Sequence, residues 1–262
     1  MPHRRLDAPT VLQASRGPVP APGMPGVLLL HGFTSTPASM APVAEVLRDA
    51  GCAVHVPMLP GHGTRWQDLN TTSAEQILRA ALAGWDRLAA RRRQVAVVGL
   101  SMGGALALHV AARRSPSAVV AINPCLRLKP FQLTLARLLG GVLPSTTPVG
   151  GDIARPGTVE EAYDRTPVRA VATLGRLIAQ VRGELDDVRA PVLLLRSARD
   201  NVLPRSSADT LVNNMDPGQL TEVVLERSLH VATLDHDADA VGWRTLEFLR
   251  DAARSGEPQA GP

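Results

Sequence analysis

Aromatic side chains are scarce in this sequence. Phe, Trp and Tyr together make up 3% of 262 residues, too few for a platform on which the bases of a single-stranded nucleic acid could stack. Lysine is nearly absent: Lys129 stands alone among 28 basic residues, and the rest are arginine. Most of these arginines are interleaved with Asp and Glu. The net charge of +4 is therefore spread out, with no basic helix or binding motif, and nucleic acid is not expected as a partner. Cysteine is limited to Cys52 and Cys125, far apart and without CxxC spacing, and Cys52 and His55 form a lone CxxH pair, two ligands where a structural zinc site takes four. That excludes a disulfide framework and a structural zinc site, and leaves two small buried hydrophobes in a reducing compartment. The first residues carry positive charge but no apolar run, so they do not read as a signal peptide.

One uncharged stretch, Val95 to Ala112, approaches the length of a membrane span. Its interior holds Gly99, Ser101, Gly103, Gly104 and His109. A β-branched run, a glycine-rich turn and an Ala/Leu run fit a buried strand, a tight turn and a core helix better. The remaining composition, 45% apolar and 20% charged, is that of a globular chain with a sizeable core.

Short apolar runs bounded by turn residues predict strands at Val27–Leu30, Ala53–Val56, Val95–Gly99, Val119–Ile122, Val192–Arg196 and Thr221–Leu225. Helical patterns lie between or after them, at Ala38–Ala50, Ser73–Ala90, Met102–Arg113, Ser206–Asn214 and Ala238–Ala252. This alternation predicts a mainly parallel sheet covered on both faces, in one α/β domain. It breaks from Asn123 to Arg189, where amphipathic patches at Phe131–Leu139 and Val168–Val181 replace strands. Nearly seventy residues exceed a crossover loop, so residues 124–188 are expected to form a small helical cap insertion. The Pro-rich termini, 1–24 and 255–262, are expected to be poorly ordered.

The sharpest motif is Gly99-Leu100-Ser101-Met102-Gly103. It follows a β-branched strand and opens a helix, the context of a nucleophile elbow. There the small neighbours permit a tight turn, and the helix N-terminus favours developing negative charge. Ser101 is the candidate nucleophile. Its partners should come later in the chain, acid and then histidine, each just past a strand end. Asp200, in the loop after Val192–Arg196, and His230, in the loop after Thr221–Leu225, meet that requirement. Competitors are His236, in an acidic stretch, and Asp152, Asp186 and Asp187, which follow no predicted strand. The backbone N–H groups for an oxyanion should be those of Met102 and of Phe33, in the loop His31-Gly32-Phe33-Thr34. His31 and His62 read as loop-packing residues that hydrogen-bond backbone.

Together HGFTST, PMLPGHG, GLSMGG, SARDNVLP and SLHVATLD resemble the α/β-hydrolase superfamily. More narrowly they resemble the small bacterial carboxylesterases and monoacylglycerol lipases, from about Val27 to Leu249. The resemblance implies a mainly parallel central sheet flanked by helices, with a cap, and a triad of Ser101, Asp200 and His230. It further implies an aliphatic cap side chain over the acyl pocket, at Val149, and a Glu near the glycerol hydroxyls, at Glu160. The expected activity is hydrolysis of a small lipid ester, most simply a monoacylglycerol. A short- or medium-chain carboxylesterase, a lysophospholipase or thioesterase, and a non-catalytic ligand-binding hydrolase fold are the alternatives. No metal or organic cofactor is implied. The expected location is cytoplasmic, with at most weak membrane-surface association.

Overall fold

A computed structural model of the chain describes residues 24–129, 134, 138 and 143–255. Apart from Thr134 and Leu138, the patch Phe131–Leu139 lies outside the described residues. So do the termini, apart from Met24 and Ser255. Six parallel strands form the main sheet: β1 (Gly26–Leu30), β2 (Ala53–His55), β3 (Val95–Leu100), β4 (Val119–Ile122), β7 (Val192–Ser197) and β8 (Leu220–Leu225). Their order is β2-β1-β3-β4-β7-β8. The six expected runs are these six strands, within one or two residues at each end.

These runs are apolar because both faces are covered. Successive side chains alternate between faces. Leu28, Leu30, Val97, Val119, Ala121 and Leu194 pack on one side with the helices α3 (Ala74–Ala89) and α4 (Met102–Arg113). Val27, Leu29, Val98, Val120, Ile122 and Leu195 face the other side, with α1 (Ala41–Asp49) and α7 (Ala238–Ser255), while α6 (Ser206–Asn214) joins β7 to β8. Strand β8 lies at the edge, and there Thr221, Glu222 and Val224 are exposed.

Local chemistry sets the helix starts. Helix α3 begins at a reciprocal cap: the Ser73 hydroxyl accepts the Gln76 N–H and the Gln76 side chain accepts the Ser73 N–H. The helix expected over Ala38–Ala50 is split into a 3₁₀ turn at Pro37–Met40 followed by α1. Pro42 has no N–H and its ring excludes the carbonyl four residues back, so the α pattern cannot run through it. A short helix, α2 (Trp66–Thr71), shows no period in the sequence.

Between β4 and β7 the chain leaves the sheet. It forms two strands of two residues each, β5 (Ser145–Thr146) and β6 (Thr166–Pro167), paired antiparallel. Two residues are too few for a period, so no sequence pattern marks them. Helix α5 (Val168–Arg182) follows. It buries Ala170, Leu174, Leu177, Ile178 and Val181, a stripe at helical spacing that packs toward α2, α3 and α4. Only its first turns face the carboxyl edge of the sheet. An antiparallel bridge from Ser35 to Ala162 and the Tyr163 N–H donated to Thr34 O join the insert to the loop after β1.

The strand order reverses between β1 and β3: β2 lies to one side of β1, and all later strands lie to the other. In an open parallel sheet, the crevice at such a switch point, outside the carboxyl ends, is where ligands bind. The loop after β1 and the turn after β3 flank it.

Candidate active site

Ser101 sits at φ 56°, ψ −115° between β3 and α4. An L-residue rarely adopts this conformation, and it turns the side chain out of the sheet edge. The turn is possible because two of its neighbours lack a Cβ. A Cβ on Gly99 would come within 1.9 Å of Gly103 O, and one on Gly103 within 2.0 Å of Leu30 O.

The structure brings Ser101, Asp200 and His230 into one hydrogen-bonded row. His230 Nε2 is 2.9 Å from Ser101 Oγ, and His230 Nδ1 is 2.7 Å from Asp200 Oδ2. All three come from loops at the carboxyl edge, after β3, β7 and β8. Ser101 is 9% exposed and His230 6%, so the row is screened from bulk water but reachable from a cavity. Burial pushes the Asp200 carboxyl up. The His230 hydrogen bond and charge, with the Leu203 and Val202 N–H groups on Oδ1, outweigh it, and the net shift is downward. An ionised Asp200 fixes the imidazole tautomer: Nδ1 carries the proton and donates it, leaving Nε2 to accept from the serine hydroxyl.

A cavity of about 380 Å³ opens over Ser101 and His230. Gly32 and Phe33 line it from the loop after β1. A Cβ on Gly32 would stand 3.6 Å from Ser101 Cβ, so that loop runs directly beside the serine. Among the described residues, neither the Phe33 nor the Met102 N–H donates to a protein acceptor. The insert supplies the opposite wall, with Leu143, Val149, Glu160, Val168, Val171 and Leu174. Val149 and Glu160 thus face the same cavity as Ser101. Glu160 Oε2 accepts the Gly151 N–H at 2.8 Å.

The competing residues lie elsewhere. His236 is exposed. Asp186 and Asp187 are exposed in a 3₁₀ turn. His31 donates Nδ1 to Gly32 O and accepts the Leu59 N–H at Nε2; His62 donates Nδ1 to Pro60 O. Burial lowers both, His31 to about 3 and His62 to about 4, so both imidazoles stay neutral and hold loops. Cys125 lines the cavity, but burial and then the Asp200 charge push its thiol up to about 12. It holds no thiolate at neutral pH and is no rival nucleophile.

The loops that carry this hydrogen-bonded row rest on further polar residues, of which Asp235 closes the SLHVATLD run. Asn123, at φ 41° after β4, donates Nδ2 to the His230 carbonyl and to Ser197 Oγ, and accepts the Ser197 N–H. Asp235 is fully buried and accepts N–H groups from Ala154, Arg155, Leu229 and His236. Asp237 accepts those of Arg227 and Ser228. Asp152 is bonded to Asn201 and to the His230 N–H. A polar residue at the end of a wholly apolar strand was the one available signal for Asn123. The aspartates meet their partners only through the fold.

The chain is similar to several known proteins. A family model described as serine aminopeptidase, S33, matches residues 25–237. The chain is 37% identical over 238 residues to a thermostable monoacylglycerol lipase of Bacillus sp. (strain H-257), covering 90% of this chain and 92% of that one. It is 27% identical over 231 residues to a carboxylesterase of Bacillus subtilis (strain 168), covering 87% and 93%. A solved structure from work on two metagenome-derived lipolytic enzymes, LipS and LipT, superposes with a TM-score of 0.83 at 33% identity, covering 86% of this chain and 93% of that one. A monoacylglycerol lipase of Paleococcus ferrophilus shares the fold, with a TM-score of 0.72 at 21% identity over 88% of this chain and 96% of that one.

Proposed function

Since the chain belongs to the serine aminopeptidase S33 family of the α/β-hydrolase superfamily, we propose that it is a serine ester hydrolase that cleaves monoacylglycerols to fatty acid and glycerol. The observation that carries this reading is the Ser101–His230–Asp200 row at the floor of a cavity with apolar walls and one carboxylate. Ser101 Oγ attacks the ester carbonyl while its proton passes to His230 Nε2. Asp200 holds the imidazole and balances the positive charge it gains. The Phe33 and Met102 N–H groups donate to the oxyanion of the tetrahedral intermediate. The imidazolium then protonates the leaving alkoxide, and the C–O bond breaks to give glycerol and an acyl-Ser101 ester. Water, deprotonated by His230, attacks that ester and releases the acid.

The cavity supports a lipid acyl group. Burying each CH₂ against Leu143, Val149, Val168, Val171 and Leu174 is worth about 0.8 kcal/mol. Glu160 supplies an acceptor for glycerol hydroxyls at the polar end. Further acyl chains would have to occupy that polar end, so di- and triacylglycerols should be poor substrates. No metal or organic cofactor takes part. Among the described residues no helix is long and apolar enough to cross a membrane. We place the enzyme in the cytoplasm, at most weakly associated with membrane surfaces, with no nucleic-acid partner.

The test is a hydrolysis panel: mono-, di- and triacylglycerols, p-nitrophenyl esters, a lysophospholipid, an acyl thioester and an aminoacyl p-nitroanilide. Monoacylglycerol should have the highest kcat/KM among the lipids. Faster cleavage of triacylglycerol, or cleavage of the anilide in place of esters, would overturn the assignment. A preference for simple esters, lysophospholipid or thioester would keep the mechanism and change the substrate.

A further inference from the structure

Asp152 belongs to the insert, yet its carboxylate touches both loops that carry the later triad members. Oδ1 accepts the side-chain N–H of Asn201 at 2.8 Å. Oδ2 accepts the backbone N–H of Asn201 at 3.0 Å and that of His230 at 3.1 Å. Its own carbonyl accepts the Val231 N–H at 3.1 Å. Asn201 is the residue next to Asp200. The backbone of His230 is therefore gripped at both ends: Asp152 takes its N–H, and Asn123 Nδ2 donates to its C=O at 2.8 Å. Two residues further along the insert, the N–H groups of Ala154 and Arg155 are each held at 2.8 Å by Asp235, which also holds Leu229. This piece of the insert is fastened to the histidine loop at two points.

We propose that Asp152 is a positioning residue that ties the Asp200 loop to the His230 loop through one carboxylate, and that residues 152–155 of the insert are a fixed part of the active site. The proposal rests on the reading of Ser101, His230 and Asp200 as the reacting triad. Three hydrogen bonds from the two loops converge on this one side chain, at 2.8, 3.0 and 3.1 Å. Proton transfer along the row needs both the 2.7 Å and the 2.9 Å contacts. These come from loops on separate strands, and Asp152 fixes their mutual position. The same carboxylate lies next to Gly151, whose N–H binds Glu160. The polar end of the cavity is thereby connected to the histidine through two hydrogen bonds and the peptide bond that joins Gly151 to Asp152.

The variants Asp152→Ala, Asp152→Asn and Asn201→Ala separate positioning from simple support of the fold. In Asp152→Asn the amide oxygen can keep both backbone donors. Its NH₂ can donate to Asn201 once the Asn201 amide turns over, so the tether survives without its charge. Hydrolysis of a p-nitrophenyl ester is measured per mole of protein shown to be folded by circular dichroism. Proton NMR follows the downfield signal of the Nδ1–H between His230 and Asp200. Asp152→Ala should lower kcat about a hundredfold, the cost of a displacement near 1 Å, with KM little changed and the downfield signal broadened or lost. Asp152→Asn should restore kcat to within roughly threefold of wild type and retain the signal. Asn201→Ala, which removes only the side-chain bond, should cost a few-fold in kcat and decides the matter should Asp152→Ala not fold. A folded Asp152→Ala with wild-type kcat and an intact signal would overturn the proposal, as would Asp152→Asn as slow as Asp152→Ala. If wild type cleaves no ester while the NMR signal responds as stated, the proposed function fails and the tether stands.

Discussion

Gly99 and Gly103 meet so closely that a single methyl group on Gly99 would lie 1.9 Å from the Gly103 carbonyl oxygen. Both atoms that would have to move are fixed: Gly99 is in a central strand with pairs on both sides, and Gly103 is in the first turn of α4. Gly99→Ala should therefore destabilise the protein by about 3 kcal/mol or more, at the upper end of overpacking effects. Urea unfolding monitored by circular dichroism gives the value. An unchanged midpoint would mean that the strand and helix can separate without cost.

Replacing Ser101 removes the proposed nucleophile and tests the backbone at once. Ser101→Ala should lose on the order of 10⁴-fold or more in esterase activity while remaining folded. A fluorophosphonate probe should label Ser101 in wild type and nothing in the variant. Ser101→Gly should be equally inactive but more stable than Ser101→Ala by about 1 kcal/mol, because glycine adopts φ 56°, ψ −115° without the strain a Cβ brings. Equal stability of the two variants would remove the strain argument.

Asp200→Asn should cut kcat by roughly 10³- to 10⁴-fold, since the amide can hold the wrong imidazole tautomer and no longer balances its charge. His236→Ala should leave kcat near wild type, because His236 faces solvent. A dead His236→Ala beside an active His230→Ala would reverse the assignment of the base.

Acid should weaken the fold through its buried histidines before the lowered carboxyls of Asp200, Asp235 and Asp237 lose their contribution. Burial lowers His31 to about 3 and His62 to about 4, and also lowers His55. The unfolded chain binds these protons near pH 6.5. Between pH 6.5 and about 4 the unfolded state thus holds more protons, and stability falls with pH by up to about 1.4 kcal/mol per unit for each of His31 and His62, with His55 adding in the same direction. Asp200, Asp235 and Asp237 are lowered carboxyls. Their contribution is present above about pH 4, the range of unfolded Asp, and is lost only below it. His62→Gln should remove one histidine's share of the slope, read from urea midpoints at pH 7 and pH 5. An identical slope in the variant would mean that His62 titrates alike in both states.

Glu160→Ala should lower kcat/KM for a monoacylglycerol by roughly tenfold, the size of one charge-assisted hydrogen bond, and leave a p-nitrophenyl ester of the same acyl chain nearly untouched. The Gly151 N–H also loses its acceptor, so a general loosening of this turn would slow both substrates alike. Equal effects on both, or none on either, would end the case for glycerol recognition by Glu160.

The sequence alone determined the alternation of strand and helix, because strands covered on both faces must be apolar throughout and the helices between them must be amphipathic. It determined the elbow too. Gly99, Ser101 and Gly103 are adjacent in the chain, and their conformation follows from local sterics between a strand and a helix. Asp200 and His230 were legible as residues just past strand ends. Their distances to each other and to Ser101 came from strand order, which places β7 beside β4 and β8 beside β7. Tertiary structure alone decided the rest. Asn123 and Asp152, and Asp235 through Ala154 and Arg155, act by hydrogen bonds to backbone groups tens of residues away, and backbone N–H and C=O groups leave no side-chain signature for their partners. Val149 and Glu160 share a wall with Ser101 only because the insert folds back over the sheet edge, where Ser35 pairs with Ala162 and Asp152 meets His230. A short irregular segment has no hydrophobic period to announce such a path. Its course is set by the scattered polar contacts that fasten it down.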